Sequence, residues 1–389
     1  MRLMIVLRHA VCVALVLAGS QQVWAQSTQP SGQTTGAITT AVPFLLINPD
    51  SRSAGLGDAG VAIANNANAM FWNPAALAFL PNKGGFALNY TPWLRYIIPD
   101  INHYFIPGYY NLGEKGGVIG ASLTYFSLGE IEFRNDQGIS QGTYRANEFA
   151  FSVAYARKIT QYLSGGASLR YVRSDLAGAQ NIGGISLQPG ESVAGDISFY
   201  YSKPFVWGKT PMTWNWGINI SNIGSKMSYS GDVNVREFLP TNLRLGTAFK
   251  ADIDEYNAIT WTIDFNKLMV PSDPADRRDK SLLSGMFSSL GDRPFSEELA
   301  EITISTGVEY WYNKVFAGRI GFFHEDPTKG GRQYVSLGVG TRFRDKFTFD
   351  FAFIQPLRAN NPLQNTLRFT LGFDMPQVKS TAATRRRRG

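Results

Sequence analysis

From Gly84 almost to its end, the chain places large apolar residues at every second position, and that period decides what it can fold into. Phe149, Phe151, Val153 and Tyr155 alternate with Ala150, Ser152, Ala154 and Ala156. Trp214, Trp216, Ile218 and Ile220 alternate with Asn215, Gly217, Asn219 and Ser221, and Val335, Leu337 and Val339 with Ser336, Gly338 and Gly340. Phe347, Phe349, Phe351 and Phe353 form one apolar face, and Leu367, Phe369, Leu371 and Phe373 another, with Thr366, Arg368 and Thr370 opposite. Each strand therefore has one bulky face and one small polar face. A soluble sandwich would bury the bulky face, whereas a membrane barrel turns it to lipid and lines its interior with the small one. Composition favours the barrel. Only 17% of the 389 residues are charged while 13% are aromatic, and the mean hydropathy of −0.13 speaks against a bundle of lipid-facing helices.

Counting such segments predicts about fourteen strands, at 84–94, 103–111, 117–127, 143–158, 162–173, 192–203, 213–223, 241–251, 256–267, 301–312, 315–324, 332–343, 346–355 and 365–374. The connections alternate in length. Those after strands 2, 4, 8, 10 and 12 are short, such as Arg344-Asp345, and those after strands 3, 5, 7 and 9 are long, the longest running from Leu268 to Ala300. Short periplasmic turns and long outer loops are the rule for outer-membrane barrels, and an even strand number returns both termini to the periplasmic side.

The segments before and after the barrel read differently. Residues 1–25 have the form of a secretory signal peptide, with Arg2 and Arg8 ahead of an apolar run and Val23-Trp24-Ala25 at the cleavage position. The lone Cys12 falls inside that run, so the exported chain is expected to hold no disulfide, Cys-ligated metal or Cys nucleophile. Residues 26–42 read as a flexible linker and 43–82, rich in Gly and Asn, as an irregular segment too small to fold without a wall to pack on. The barrel is expected over 83–375 and a basic tail ending in Arg385, Arg386, Arg387 and Arg388 over 376–389. Those four arginines, with Arg2 and Arg8, account for six of 37 basic residues, which leaves 31 against 30 acidic ones. The body carries no basic face for nucleic acid.

Candidate chemistry is sparse. Gly55-Leu56-Gly57-Asp58-Ala59-Gly60 matches a dinucleotide-binding spacing, but Asn-rich sequence and Pro74 follow where an amphipathic helix is required. Glycines that allow close packing explain it better. His103 and His324 are the histidines past the signal peptide. His324 beside Glu325 and Asp326, with Ser336 on the next strand, is the one arrangement that invites a lipid-hydrolase reading, yet adjacent residues on a strand point to opposite faces. The sequence therefore predicts no enzyme, no cofactor and no metal site. Trp93, Tyr96, Tyr109 and Tyr110 near strand ends, with Trp72, are expected mostly as interfacial girdle residues. Recognition is expected in the loops at 128–142, 174–188, 224–240 and 268–300, because loops on a rigid barrel carry binding. The last of these holds Leu282, Leu283, Met286 and Phe287, an apolar run suited to packing on the barrel mouth or to burial in a partner.

Several stretches resemble the PorV family of the type IX secretion system in Bacteroidetes. They are Pro43-Phe44-Leu45-Leu46-Ile47, Ser51-Arg52 with Gly55 through Ala62, Asn68-Ala69-Met70-Phe71-Trp72-Asn73-Pro74-Ala75, Asn361-Pro362-Leu363 and Asn365-Thr366-Leu367-Arg368-Phe369. The resemblance implies an all-β FadL-like fold, a fourteen-stranded antiparallel barrel with an N-terminal hatch in its lumen, and Asn73-Pro74-Ala75 is similar to the hatch motif. Trp72, Asn73 and Pro74 are then expected to hold the hatch. It also implies a non-enzymatic role: binding the C-terminal signal domain of cargo as it leaves a large translocon barrel (SprA, also called Sov) and delivering it to an attachment complex containing the PorU sortase. A FadL-like passive transporter of hydrophobic molecules is the alternative. The Arg385–Arg388 tail has no counterpart in the family pattern.

Overall fold

The computed structural model describes residues 36–375 except 64–65, 96–97, 99, 114, 135–136, 177, 179–180, 183–184, 187, 231–235, 359–360 and 362. The expected signal peptide, most of the linker, Tyr96, Pro362 and the basic tail lie outside the described residues. Fourteen strands close into one antiparallel barrel: β1 Gly84–Pro92, β2 Asn102–Asn111, β3 Val118–Arg134, β4 Ser140–Lys158, β5 Leu163–Asp175, β6 Gly190–Trp207, β7 Thr210–Gly224, β8 Asn242–Asp252, β9 Asn257–Leu268, β10 Thr303–Tyr312, β11 Phe316–His324, β12 Gln333–Phe343, β13 Phe347–Pro356 and β14 Thr366–Asp374. Closure is made by β1 on β14, from Gly85 opposite Asp374 to Tyr90 opposite Phe369, so no sheet edge is left to meet lipid.

The alternation works as the period requires. On β4, Phe151, Val153 and Tyr155 are exposed while Ser152, Ala154 and Ala156 are buried inside. Aromatic rings gather near both rims of the outer surface: Trp214, Phe249 and Trp261 stack at successive 6.2 Å spacings near one, and Tyr90 stacks on Tyr104 at 5.2 Å near the other. Of the expected girdle residues, Tyr110 does face outward, but Trp72 and Tyr109 are buried inside and Trp93 packs at the inner edge of a mouth.

Two hairpins reach further than the sequence predicts. The segment expected as a loop at 128–142 is largely strand, with β3 and β4 paired out to Arg134 and Ser140 beyond a bulge that contains Gly129 in a left-handed conformation. The alternation fades there because both faces of a protruding hairpin are wet. β6 and β7 likewise run on to a turn at Gly208-Lys209, past Pro204 and Pro211, which mask the strands in the sequence.

The long connections share one mouth of the barrel and the short turns the other. Both ends of the sheet, Gly84 and Asp374, lie at the short-turn mouth. The chain reaches Gly84 by crossing the lumen. Gly36 N–H donates to the Thr328 carbonyl at 2.9 Å and Ala41 N–H to that of Phe238, both in long connections. The earliest described residues therefore sit at the opposite mouth from the sheet ends, while both chain termini, expected on one side, lie outside the described residues. Between these points, residues 43–82 form 3-10 turns at Pro43–Leu46 and Pro74–Phe79 and one-turn helices at Ser51–Ala54 and Ala69–Trp72.

Glycines let this segment lie directly on the wall. A Cβ on Gly321 of β11 would come within 1.9 Å of the Gly57 nitrogen, one on Gly307 within 2.6 Å of Leu56 Cα, and one on Gly338 within 3.0 Å of Gly55 Cα. The Gly55–Gly60 motif is thus a packing surface, and Gly57 itself has φ +71, open to glycine at no steric cost. Gly321→Val is expected to destabilise the barrel by at least 1–3 kcal/mol, the usual range for overpacking. Gly318→Val, on the same strand with open space around its Cβ, serves as the neutral control. The check is the temperature at which each loses heat-modifiable migration in gels.

Candidate functional site

The inward face of the barrel should need only small polar residues, yet it carries charges at places where the hatch touches it. Glu309 of β10 takes a bidentate pair from Arg52 of the hatch, both bonds at 2.8 Å, and a 2.7 Å bond from Arg319 of β11. Arg319 continues to Asp350 of β13 at 2.7 Å. Arg368 of β14 pairs with Asp58 of the hatch at 2.6 Å, and Tyr334 of β12 also donates to Asp58. Asp264 of β9 accepts the main-chain N–H groups of Gly60 and Val61 at 2.7 and 2.8 Å. These contacts reach the hatch from strands β9 to β14.

On its other side the hatch is bonded to the wall through Trp72 and Asn73. Trp72 Nε1 donates to Asp50, whose second oxygen caps the turn at Ser53, and the Trp72 carbonyl accepts from Asn219 of β7 at 3.0 Å. Asn73 Oδ1 accepts the Ala75 N–H while its Nδ2 donates to the Phe199 carbonyl of β6 at 2.9 Å. Pro74 occupies the first position of the turn it opens, where its missing N–H costs nothing. The hatch is therefore bonded to the wall on both sides.

Above it, at the long-connection mouth, lies a cavity of about 620 Å³. Its roof is the strap from Ala37 to Asn48, its floor includes Asp58 and Trp72, and its walls are the upper ends of the strands. Phe44 of the strap stacks on Phe126 of β3 with centroids 6.3 Å apart. The sequence reading missed most of the charged wall residues: Asp264, Glu309, Arg319 and Asp350 were not singled out. A usable signal was present, because each sits in the small-residue phase of a strand whose other phase is bulky and apolar.

The connection after β9 forms a cap of three short helices, α1 Pro274–Asp279, α2 Leu282–Ser288 and α3 Phe295–Ala300. Of the four apolar residues expected to meet a partner, Met286 is 4% exposed and so is not available to one, because Gly285 and Met286 are the buried face of α2, with Gly285 set against the Phe238 ring. Leu282 is half-buried. Leu283 and Phe287 are exposed, joined by Leu290, Phe295 and Leu299, with Phe295 at 77%. The cap is tied down by Glu301, which accepts from Lys267 at 2.6 Å, Ser272 at 2.7 Å and Lys329 at 3.0 Å.

Among the described residues, His324 and Ser336 are not brought together. Ser336 faces inward and accepts the Gly57 N–H, whereas His324, three pairs along on β11, bonds Gln333 at 3.1 Å. His103 is buried with both ring nitrogens unpartnered among the described residues. No cluster of three potential metal ligands occurs among the described residues, and no helix there is long and apolar enough to cross a membrane.

A family model described as "Type IX secretion system protein PorV" matches residues 30–275. No curated protein matches the chain. Among solved structures, the toluene transporter TodX of P. putida is similar with a TM-score of 0.50 at 14% identity, over 84% of this chain and 98% of that one. The toluene transporter TbuX of Ralstonia pickettii is similar at 0.47 and 13% identity, over 84% and 98%. A Pseudomonas aeruginosa FadL homologue is similar at 0.41 and 11% identity, over 87% and 99%. The TodX likeness is one of fold, that of a FadL-like outer-membrane barrel.

Two measurements check the roles assigned to these charges. Arg368→Met leaves Asp58 buried without its cation and is expected to cost about 3–5 kcal/mol, while Arg368→Met with Asp58→Asn costs less. Denaturant unfolding in detergent compares them. Burial alone would raise the Glu301 carboxyl, but the bonds from Lys267, Ser272 and Lys329 hold it below the usual carboxylate range. A depressed value stabilises the cap fully above the unfolded value, about pH 4.3, and loses that contribution as pH falls through the lower one. Limited proteolysis should find the 269–302 connection protected at pH 5 and cut only as the pH drops below about 4.3.

Proposed function

The chain matches the family model over more than half its length and so belongs to the PorV family of type IX secretion system proteins, and we propose that it is a non-enzymatic outer-membrane shuttle for exported cargo. It binds the C-terminal signal domain of cargo at a large SprA-like translocon barrel and hands it to a surface attachment complex containing a PorU-like sortase. Its other neighbour is outer-membrane lipid; nucleic acid has no role. The long connections face the cell exterior, and recognition lies there.

The observation that carries this reading is the exposed apolar surface of the cap, Leu283, Phe287, Leu290, Phe295 and Leu299. Apolar side chains left exposed on a connection at the long-connection mouth fit burial against another protein. The bonded hatch is in keeping with this, since a protein partner met at the rim needs no path through the lumen. Passage of a hydrophobic molecule such as toluene, for which TodX is named a transporter, needs an apolar route past the hatch, and the seam between hatch and wall carries Arg52 of the hatch with Glu309, Arg319 and Asp350 of the wall.

The test is an affinity pull-down of the detergent-extracted protein from its native membrane. A giant barrel and secreted proteins that share a C-terminal β-domain are the expected companions. A lone barrel with bound fatty acid overturns the proposal in favour of transport. Deleting residues 282–290 is expected to abolish capture of cargo or translocon while the barrel stays heat-modifiable, and unchanged capture removes the cap from the binding surface.

A further inference from the structure

Three carboxylates and four cationic side chains line the cavity above the hatch, and three of the cations are already matched. Arg368 pairs with Asp58, Lys329 with Glu301, and Arg332 with Glu325. Arg244 of β8 is the one left over. It is 3% exposed and has no carboxylate within ion-pairing distance among the described residues. Its Nη1 donates to the Phe71 carbonyl at 3.0 Å, and its guanidinium lies 4.6 Å from the Phe71 ring and 5.2 Å from that of Trp72. With the Asn242 amide in the orientation that satisfies both its atoms, Arg244 Nε donates to its oxygen at 3.0 Å. Two buried polar atoms of the same lining, Ser305 Oγ and Arg368 Nε, have no partner among the described residues.

Asp196, Asp264 and Asp58 act on Arg244 only from beyond ion-pair contact, and a buried guanidinium without a paired carboxylate is costly, as is each unpartnered polar atom around it. An anion entering the cavity removes these costs together. The walls say what the anion is attached to. Thr40, Asn48, Asn266 and Thr303 supply donors and acceptors among Ile47, Trp93, Phe323 and Leu363. The main-chain amides of a peptide need such groups, whereas an acyl chain would leave them unpaired. A cavity of about 620 Å³ is of ordinary size for a ligand site.

We propose that this cavity receives the carboxylate end of an extended polypeptide, which enters from the long-connection mouth and sets its terminal carboxylate on Arg244. The proposal rests on the shuttle reading and deepens it: the chain end is that of the cargo signal domain, read in the barrel while the cap holds the domain outside. Capture of a chain terminus by a few fixed donors is an established mode of peptide recognition.

The test uses the full-length protein in detergent and the signal domain of the most abundant secreted protein that co-purifies with it. That domain is made with a free C-terminus and, by ligation, with a C-terminal amide. The acid is expected to bind about thirtyfold or more tightly than the amide, the size of effect seen when one partner of a buried charge pair is lost. Arg244→Gln is expected to erase the difference, while Arg244→Lys, which keeps the charge, retains part of it; both variants are first checked for heat-modifiable migration. Equal binding of acid and amide overturns this proposal and leaves the shuttle reading standing. Binding of neither form removes both. Arg244-dependent binding of oleate without an acid-over-amide preference puts an acyl chain in the cavity and overturns the peptide proposal.

Discussion

A closed barrel of fourteen strands encloses a lumen too wide for its own small inward side chains to fill, and everything else in the structure follows from filling it. The filling is residues 43–82, and because they form only single turns they bring unpaired main-chain groups with them. The wall answers those groups one by one: Asp264 accepts from Gly60 and Val61, Ser198 from the Ala75 N–H, and Ser164 donates to the Ala75 carbonyl. A hatch held this way is part of the barrel's interior rather than a separate domain resting in it.

Charge enters the lumen for the same reason. Arg52, Glu309, Arg319 and Asp350 form an alternating chain in which each member faces one of opposite sign. Such a chain contributes little net stability against an apolar alternative, but it is severe toward any arrangement that breaks it. Its effect is to specify one seating of the hatch. The cap and the cavity both lie at the long-connection mouth, beyond the hatch.

Two kinds of residue in this barrel look alike in composition and differ in what they face. Aromatics at strand ends serve lipid where they fall in the outward phase, as Trp214 and Trp261 do, and serve the interior where they fall in the inward phase, as Tyr109 does. The cap helix α2 repeats the distinction within one turn: Met286 is buried against the mouth while Phe287 beside it stands in solvent. Adjacent residues of similar chemistry thus belong to different interfaces.

The sequence by itself determined the barrel, because a period of two is a local property: whichever neighbour a strand finds, its bulky and small faces stay opposite. Strand positions, the parity of loop lengths and the need of residues 43–82 for a wall were legible in the sequence on that basis or from composition. The tertiary structure decided what depends on residues far apart in the chain. That Gly57 lies on Gly321, that Arg368 meets Asp58, and that Arg244 lies over the Phe71 and Trp72 rings are outcomes of how fourteen strands and a hatch converge. It decided too that β3 and β4 pair beyond the barrel and that the chain enters at the mouth opposite its sheet ends. A single strand carries no record of which strand stands across the lumen from it.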